Sequence, residues 1–216
     1  MEQRNSLTNY SFTFASINLN GISNTTKINS LRSFVRTPDL DIIAMQEVVS
    51  DSICIPGYDM ITNINEAERG TAIAVRNSIE VRRVQRSLDS RVVCIDLGNA
   101  ENRVRIINLY APSGSNNRST REDFFNQTVP FYLQDHPIHT IMMGDFNSVI
   151  HPSDATGVSN FSPMLKRLCD CANLQDVWKQ FNQQMEYSFV RGRSMSRSLR
   201  HASMYHSGMP LKCSFL

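Results

Sequence analysis

The 216-residue chain has few of the features that mark a specialised class of protein. It holds one tryptophan, and no internal repeat or low-complexity segment interrupts it, which sets aside solenoids, fibres and disordered linkers. No apolar run reaches the roughly 18 residues that a membrane span needs, and no charged-then-apolar segment opens the chain. A protein neither secreted nor membrane-spanning is expected. Its five cysteines are odd in number and form no C-x-x-C pair, so neither a disulfide framework nor a zinc knuckle is indicated. Reduced, intracellular thiols are the expectation. The net charge is only +2, so any contact with nucleic acid must come from a local stripe of basic residues rather than from the sum.

What the chain does have is a set of polar residues at the ends of apolar segments. Ile138-His139-Thr140-Ile141-Met142-Met143 reads as a strand that stops at Gly144-Asp145-Phe146-Asn147. Side chains two apart in an extended segment share a face, so Asp145 and Asn147 are expected to converge on one substrate group. Both residue types also make ordinary turns. Three further segments repeat the arrangement. Phe12 to Gly21 is a strand ending in Asn18, Asn20 and a glycine, Leu40 to Glu47 ends in Gln-Glu, and Val104 to Pro112 ends in Tyr-Ala-Pro, with Pro112 closing it.

In this order, N-x-N-G, Q-E, N-x-Y-A-P and G-D-F-N resemble the endonuclease/exonuclease/phosphatase superfamily with the DNase I-like fold. Leu19-Asn20-Gly21-Ile22, the segment from Arg69 to Arg76, and Tyr110-Ala111-Pro112-Ser113-Gly114 are most similar to the apurinic-type endonuclease domain of LINE-type (non-LTR) retrotransposons. The likeness covers about residues 10 to 197. It implies a phosphodiesterase that nicks target DNA with Mg²⁺, or Mn²⁺ in its place, alongside a reverse transcriptase domain in the full-length element and in the nucleus.

Cutting a phosphodiester requires an activated water, a neutralised transition state and a stabilised leaving oxygen. Mg²⁺ keeps several waters and takes only one or two protein carboxylates. The resemblance makes Glu47 the metal carboxylate, with Asn18 positioning it or its waters, and Asp145 the base or water-orienting group. Asn147 and Tyr110 become donors to the scissile phosphate. Ser188 matches a small hydroxyl position, and Arg193 and Arg197 lie in an arginine cluster, with Arg191 and Arg200, assigned to phosphate contact. Arg82, Arg83 and Arg86, and Lys166 with Arg167, read as solvated faces. His136, His139 and His151 read as loop histidines.

Between these motifs, strands are predicted over Gly57–Thr62, Thr71–Arg76, Glu80–Gln85, Arg91–Leu97 and Arg103–Leu109, forming an antiparallel meander. A helix capped at Thr25 or Thr26 buries Ile28, Leu31, Phe34 and Val35. Another, opened by Ser119-Thr120-Arg121-Glu122, exposes its charges and buries Phe124, Phe125, Val129, Phe131 and Leu133, with a kink or break at Pro130. A third begins at Ser159 or Asn160 with Met164, Leu165, Leu168 and Ala172 inward. Trp178 is a core anchor and Tyr187–Val190 a strand. Two groups of strands with helices outside each predict an α/β fold, a four-layer sandwich whose strand ends meet at one rim.

After Gly192 to Arg197 the family pattern continues with Ile/Leu-Asp-x-Ile and, about two dozen residues on, Ser-Asp-His. This chain instead reads Ser198-Leu199-Arg200-His201-Ala202-Ser203-Met204-Tyr205. A two-base shift can convert codons for Ala-Ser-Met-Tyr into Ile-Tyr-Val, so a frameshift near Ser196 or Arg197 is expected. Residues 1–197 then form an incomplete, monomeric domain, and 198–216 an out-of-family, disordered tail. The last strands of the second sheet would be missing and its apolar edge open. His201 and His206 do not replace the lost pair. Two other functions stay open: an inactive remnant holding nucleic acid through phosphates, and a phosphomonoesterase or phospholipid phosphodiesterase of the same fold.

Overall fold

Alternation of apolar side chains on short strands means that each sheet here has two faces to bury, and both sheets do so. In the computed structural model, residues 12–21, 28–29, 31–33, 40–65, 68–98, 103–134, 139–155, 160–176, 189–191, 194–196 and 204–206 are described. A four-stranded sheet takes the order β1 (Phe14–Asn18), β2 (Ile42–Val48), β4 (Glu68–Arg76), β3 (Tyr58–Asn65). A six-stranded sheet has the order β5 (Val81–Arg86), β6 (Val92–Gly98), β7 (Arg103–Tyr110), β8 (His139–Asp145), β12 (Met204–His206), β9 (Leu174–Asp176). Strands β10 (Phe189–Arg191) and β11 (Ser194–Ser196) form a separate antiparallel pair. Of the predicted meander strands, β3, β4 and β7 run one to three residues further than expected, and β5 and β6 are displaced by one.

The two sheets face each other across one apolar layer. Phe14, Ile42, Ala44, Ile73, Val75, Ile95, Ile106, Ile141 and Met143 fill it. The alternate residues of the same strands form the outer cores. Ala15, Ile43, Met45, Ala72 and Ala74 pack with Leu31 on one side, while Ile107, Leu109 and Met142 pack with Phe124, Phe125, Val129, Leu165 and Leu168 on the other. The four-layer α/β sandwich is therefore built by strict period-2 sorting. Phe34, Val35 and Trp178 lie outside the described residues.

Around Pro130 the helix does break. Helix α1 (Arg118–Asp123) widens into a π-helical turn at Phe124–Thr128 before α2 (Val129–Tyr132). Proline lacks an N–H and crowds the preceding turn, and a widened turn accommodates both. The added residue also rotates the stripe, so Phe131, expected inside, is 55% exposed and Tyr132 is buried instead. The expectation that this helix exposes its charges is corrected as well. Arg121 is buried, and Glu122 accepts from Ser162 Oγ at 2.8 Å and Met164 N at 3.1 Å, so that it caps helix α3 (Pro163–Cys171) together with Ser162. Leu174–Asp176, directly after the helix, is strand β9.

A buried ion pair fixes the other end of this layer. Arg105 and Asp96 stand opposite each other on β7 and β6 and pair through two bonds of 2.7 and 2.9 Å. The same guanidinium donates to the carbonyls of Tyr132 and Gln134, closing the helix end with charge-assisted bonds. Within the tail expected to be disordered, Met204–His206 forms β12 between β8 and β9. The open edge anticipated beside β8 is thus filled there, because an extended segment satisfies the strand's backbone groups. The exposed Arg82, Arg83 and Arg86 lie on β5, an edge strand, where charge discourages further pairing.

Burial also sorts the thiols. Desolvation pushes Cys94 and Cys169 up to about 12, while Cys54 and Cys171 are exposed. Only thiolates alkylate at a useful rate. Iodoacetamide at pH 8 is expected to label Cys54 and Cys171 in the native protein, and Cys94 and Cys169 only after denaturant is added, as read by peptide mass. Rapid native labelling of Cys94 would contradict this packing.

Candidate active site

Two parallel strand pairs set the geometry. Strands β1 and β2 run together with Asn18 opposite Gln46, and β7 and β8 run together with Tyr110 opposite Asp145. The inward series of each strand turns polar as it reaches this end. Ser16 and Asn18 follow Phe14, Gln46 follows Ala44, Asn108 and Tyr110 follow Ile106, and Asp145 follows Met143. Beneath the rim these residues bond across the sheets. Gln46 Nε2 donates to Asn108 Oδ1 at 2.7 Å and to Ser16 Oγ at 3.1 Å, and Asn108 Nδ2 donates to the carbonyls of Met45 and Ala72 at 2.9 and 2.8 Å.

At the rim, Asn18 joins two carboxylates from facing sheets. Its Nδ2 donates to Glu47 Oε1 at 2.9 Å and to Asp145 Oδ2 at 3.0 Å, while its Oδ1 accepts the Asn20 N–H at 2.8 Å. Asn18 thus closes the turn to Asn20 with one end of its amide and bridges the two carboxylates with the other. Glu47 reaches this position through a β-bulge: pairing to β4 shifts between Gln46 and Val48, and Glu47 takes φ 56°. The Gly21 N–H donates to its carbonyl at 3.1 Å, and Arg69 Nη1 pairs with its Oε2.

Asp145 and Asn147 do meet, though not as two residues of one extended strand. Asn147 has φ 48°, and its N–H donates to Asp145 Oδ1 at 3.0 Å, which is an Asx turn. Its Nδ2 donates to the Ala111 carbonyl at 2.9 Å, and Ala111 N–H donates to the Asp145 carbonyl at 2.8 Å, so the exits of β7 and β8 are stitched together. Gly144 is what lets them approach. It has φ 134°, and a Cβ there would lie 2.0 Å from the Leu109 carbonyl oxygen. Tyr110 is buried at the rim, with the Arg91 guanidinium 5.4 Å from its ring centroid.

Arg121 supports this end from below. Its Nε donates to Ser148 Oγ at 3.0 Å, and Nη1 to the carbonyls of Pro112 and Gly114 at 2.9 and 3.1 Å. It ties the loop after Tyr110 to the loop after Asn147. Burial lowers its pKa from the ordinary arginine value. In the sequence it looked like one more helix-surface charge. Gln46 and Asn108 were missed as functional supports, although both sit one or two residues before a rim residue on the inward face.

Asn18, Glu47, Tyr110, Asp145 and Asn147 are thus all at one end of the sandwich, and the first, second and fourth are directly bonded. Ser188, Arg193 and Arg197 lie outside the described residues, as does His136. His139 begins β8, at the strand end opposite Asp145, and the His151 N–H donates to Asp154 Oδ2 at 3.2 Å. Lys166 pairs with Asp170 at 2.6 Å. Among the described residues no three His, Cys, Asp or Glu side chains cluster as a metal cage. A hard cation that keeps most of its waters needs only one or two protein carboxylates, and Glu47, positioned by Asn18 Nδ2, is the carboxylate here that could take one.

The pattern of the Endonuclease/Exonuclease/phosphatase family matches residues 15–197. The chain belongs to that family. Its fold is shared with solved structures of low identity. An AP endonuclease from Leishmania major is 20% identical, with TM-score 0.73 over 90% of this chain and 78% of that one. An AP endonuclease from Archaeoglobus fulgidus is 18% identical, with TM-score 0.68 over 89% and 85%. The endonuclease domain of TRAS1, a telomere-specific non-LTR retrotransposon, is 14% identical, with TM-score 0.61 over 90% and 84%. In this family member no helix among the described residues is long and apolar enough to cross a membrane.

Removing Arg121 should loosen both site loops. Arg121→Met leaves the Pro112 and Gly114 carbonyls and Ser148 without their donor, and is expected to lower unfolding free energy by about 3 kcal/mol. Urea denaturation followed by circular dichroism reads this. A change under about 0.5 kcal/mol, the range of ordinary surface substitutions, would show that the loops do not depend on it.

Proposed function

We propose that this chain is a Mg²⁺-dependent DNA endonuclease domain of a LINE-type retrotransposon, nicking target DNA in the nucleus to expose a 3′ hydroxyl for an accompanying reverse transcriptase domain. The observation that carries the reading is the Asn18 carboxamide bonded to both Glu47 and Asp145. Family membership supports phosphodiester chemistry at that point. The motifs around Asn20, Arg69 and Tyr110 support the retrotransposon assignment over a phosphomonoester or lipid substrate.

In this scheme Glu47 holds the divalent ion, Mn²⁺ serving in its place, and Asn18, which donates to Glu47 Oε1, positions it or its waters. Bound there, the cation supplies positive charge to the phosphate oxygens and the leaving 3′ oxygen. Asp145, held by Asn18 on one oxygen and by the Asn147 N–H on the other, orients the attacking water and takes its proton. Asn147 and Tyr110 donate to the scissile phosphate where its charge grows. The arginines at 193 and 197 and Ser188 add contacts to the flanking strand. Residues 198–216 take no part.

A supercoiled-plasmid assay with Mg²⁺ tests the scheme. Asp145→Ala and Glu47→Ala are each expected to reduce nicking by at least about 10²-fold, the scale of a lost general base or of a lost charge-stabilising group. Equal nicking by all three proteins would remove the mechanism. The segment Ser198 to Tyr205, which has no Asp where the family's Asp-x-Ile falls, favours one second reading, a binding remnant. It predicts salt-sensitive gel retention of any duplex with no nicking at high protein concentration. Sequencing the genomic DNA past codon 197 in all frames separates a lesion from a native end. An in-frame Asp-x-Ile and Ser-Asp-His downstream would establish the lesion.

A further inference from the structure

Arg69 is a charged side chain paired with Glu47 that the proposed chemistry leaves without a task. It precedes Gly70, where β4 crosses so close to β3 that a Cβ would lie 2.1 Å from the Asn63 carbonyl oxygen. No side chain with a Cβ fits at Gly70 unless the β3 backbone shifts. From there the guanidinium reaches over the rim. It pairs with Glu47 Oε2, donates to Asn20 Oδ1 at 3.3 Å, and lies against Gly21, with Cζ 3.3 Å from where a Cβ would stand.

The two oxygens of Glu47 are therefore held in different ways. Oε1 is held by the Asn18 amide, which is itself pinned by Asp145 and the Asn20 backbone. Oε2 is held by a side chain that is 49% exposed, against 13% for Glu47. Exposed ion pairs are weak, and a guanidinium fork matches phosphate oxygens as well as it matches a carboxylate.

We propose that Arg69 is a displaceable counter-ion for Glu47: it competes with a divalent cation for Oε2, and once released it binds the phosphate backbone of the incoming nucleic acid. Cation and nucleic acid then reinforce each other's binding, since a coupling of this kind acts equally in both directions. The device rests on the function proposed above. It would keep the site poorly loaded until substrate arrives.

Isothermal titration of the full chain with MgCl₂, alone and with a phosphorothioate duplex that resists cleavage, tests it. Arg69→Gln is expected to bind the cation roughly fivefold more tightly than the unmodified chain without duplex, the upper range for releasing an exposed ion pair. The gain brought by the duplex should be smaller in Arg69→Gln. Arg69→Lys keeps the charge and should stay near the unmodified affinity, with thermal melts confirming that all variants fold. Unchanged or weaker cation binding in Arg69→Gln would overturn the proposal, as would equal tightening in Arg69→Lys. Cation binding that is absent from every variant, or indifferent to Glu47→Gln, would instead overturn the metal reading itself.

Discussion

The bonds from Asn18 Nδ2 to Glu47 Oε1 and Asp145 Oδ2 span the two sheets, and they form only because two parallel strand pairs end together at one rim. A relative slip of one residue in any of the four strands would turn its terminal polar side chain outward, since the side-chain period is two. The apolar layer between the sheets fixes that register. Ile42, Ala44, Ile106, Ile141 and Met143 are all essentially out of water, and the same alternation that sorts them delivers Asn18, Tyr110 and Asp145 to the rim. Packing and chemistry are thus two readings of one pattern.

Between the dry layer and the rim lies a graded zone in which Gln46, Asn108 and Ser16 bond to one another and to strand carbonyls. Buried polar networks are costly when half satisfied and rigid when well connected. Here the network links β2 of one sheet to β7 of the other directly beneath Glu47 and Tyr110. The site stands on it, much as the loops above stand on Arg121.

The strand-end residues were legible in the sequence because each closes an apolar run and because the four motifs come in family order. The sandwich followed from the same runs. What the sequence hid were effects of three-dimensional register. Arg69 and Arg121 are chemically indistinguishable from solvated arginines until the strands and loops they reach are in place. The side chains of Gln46 and Asn108 acquire meaning only when two sheets face each other. Phe131 was assigned inward by a period of 3.6 that a π-helical turn interrupts, and Asn147 was assigned to an extended segment that an Asx turn ends. Strand β12 could not be foreseen from a segment outside the family pattern.

Among the described residues, three of the five non-glycines with positive φ are Asn20, Glu47 and Asn147, one after each of three converging strands or within its bulge. Asparagine tolerates this backbone state, but glutamate does so only at a cost of order 1 kcal/mol or more. A sequence optimised purely for folding would place glycine at position 47. Under the proposed mechanism, the carboxylate that stands there instead is what the strained bulge holds in place.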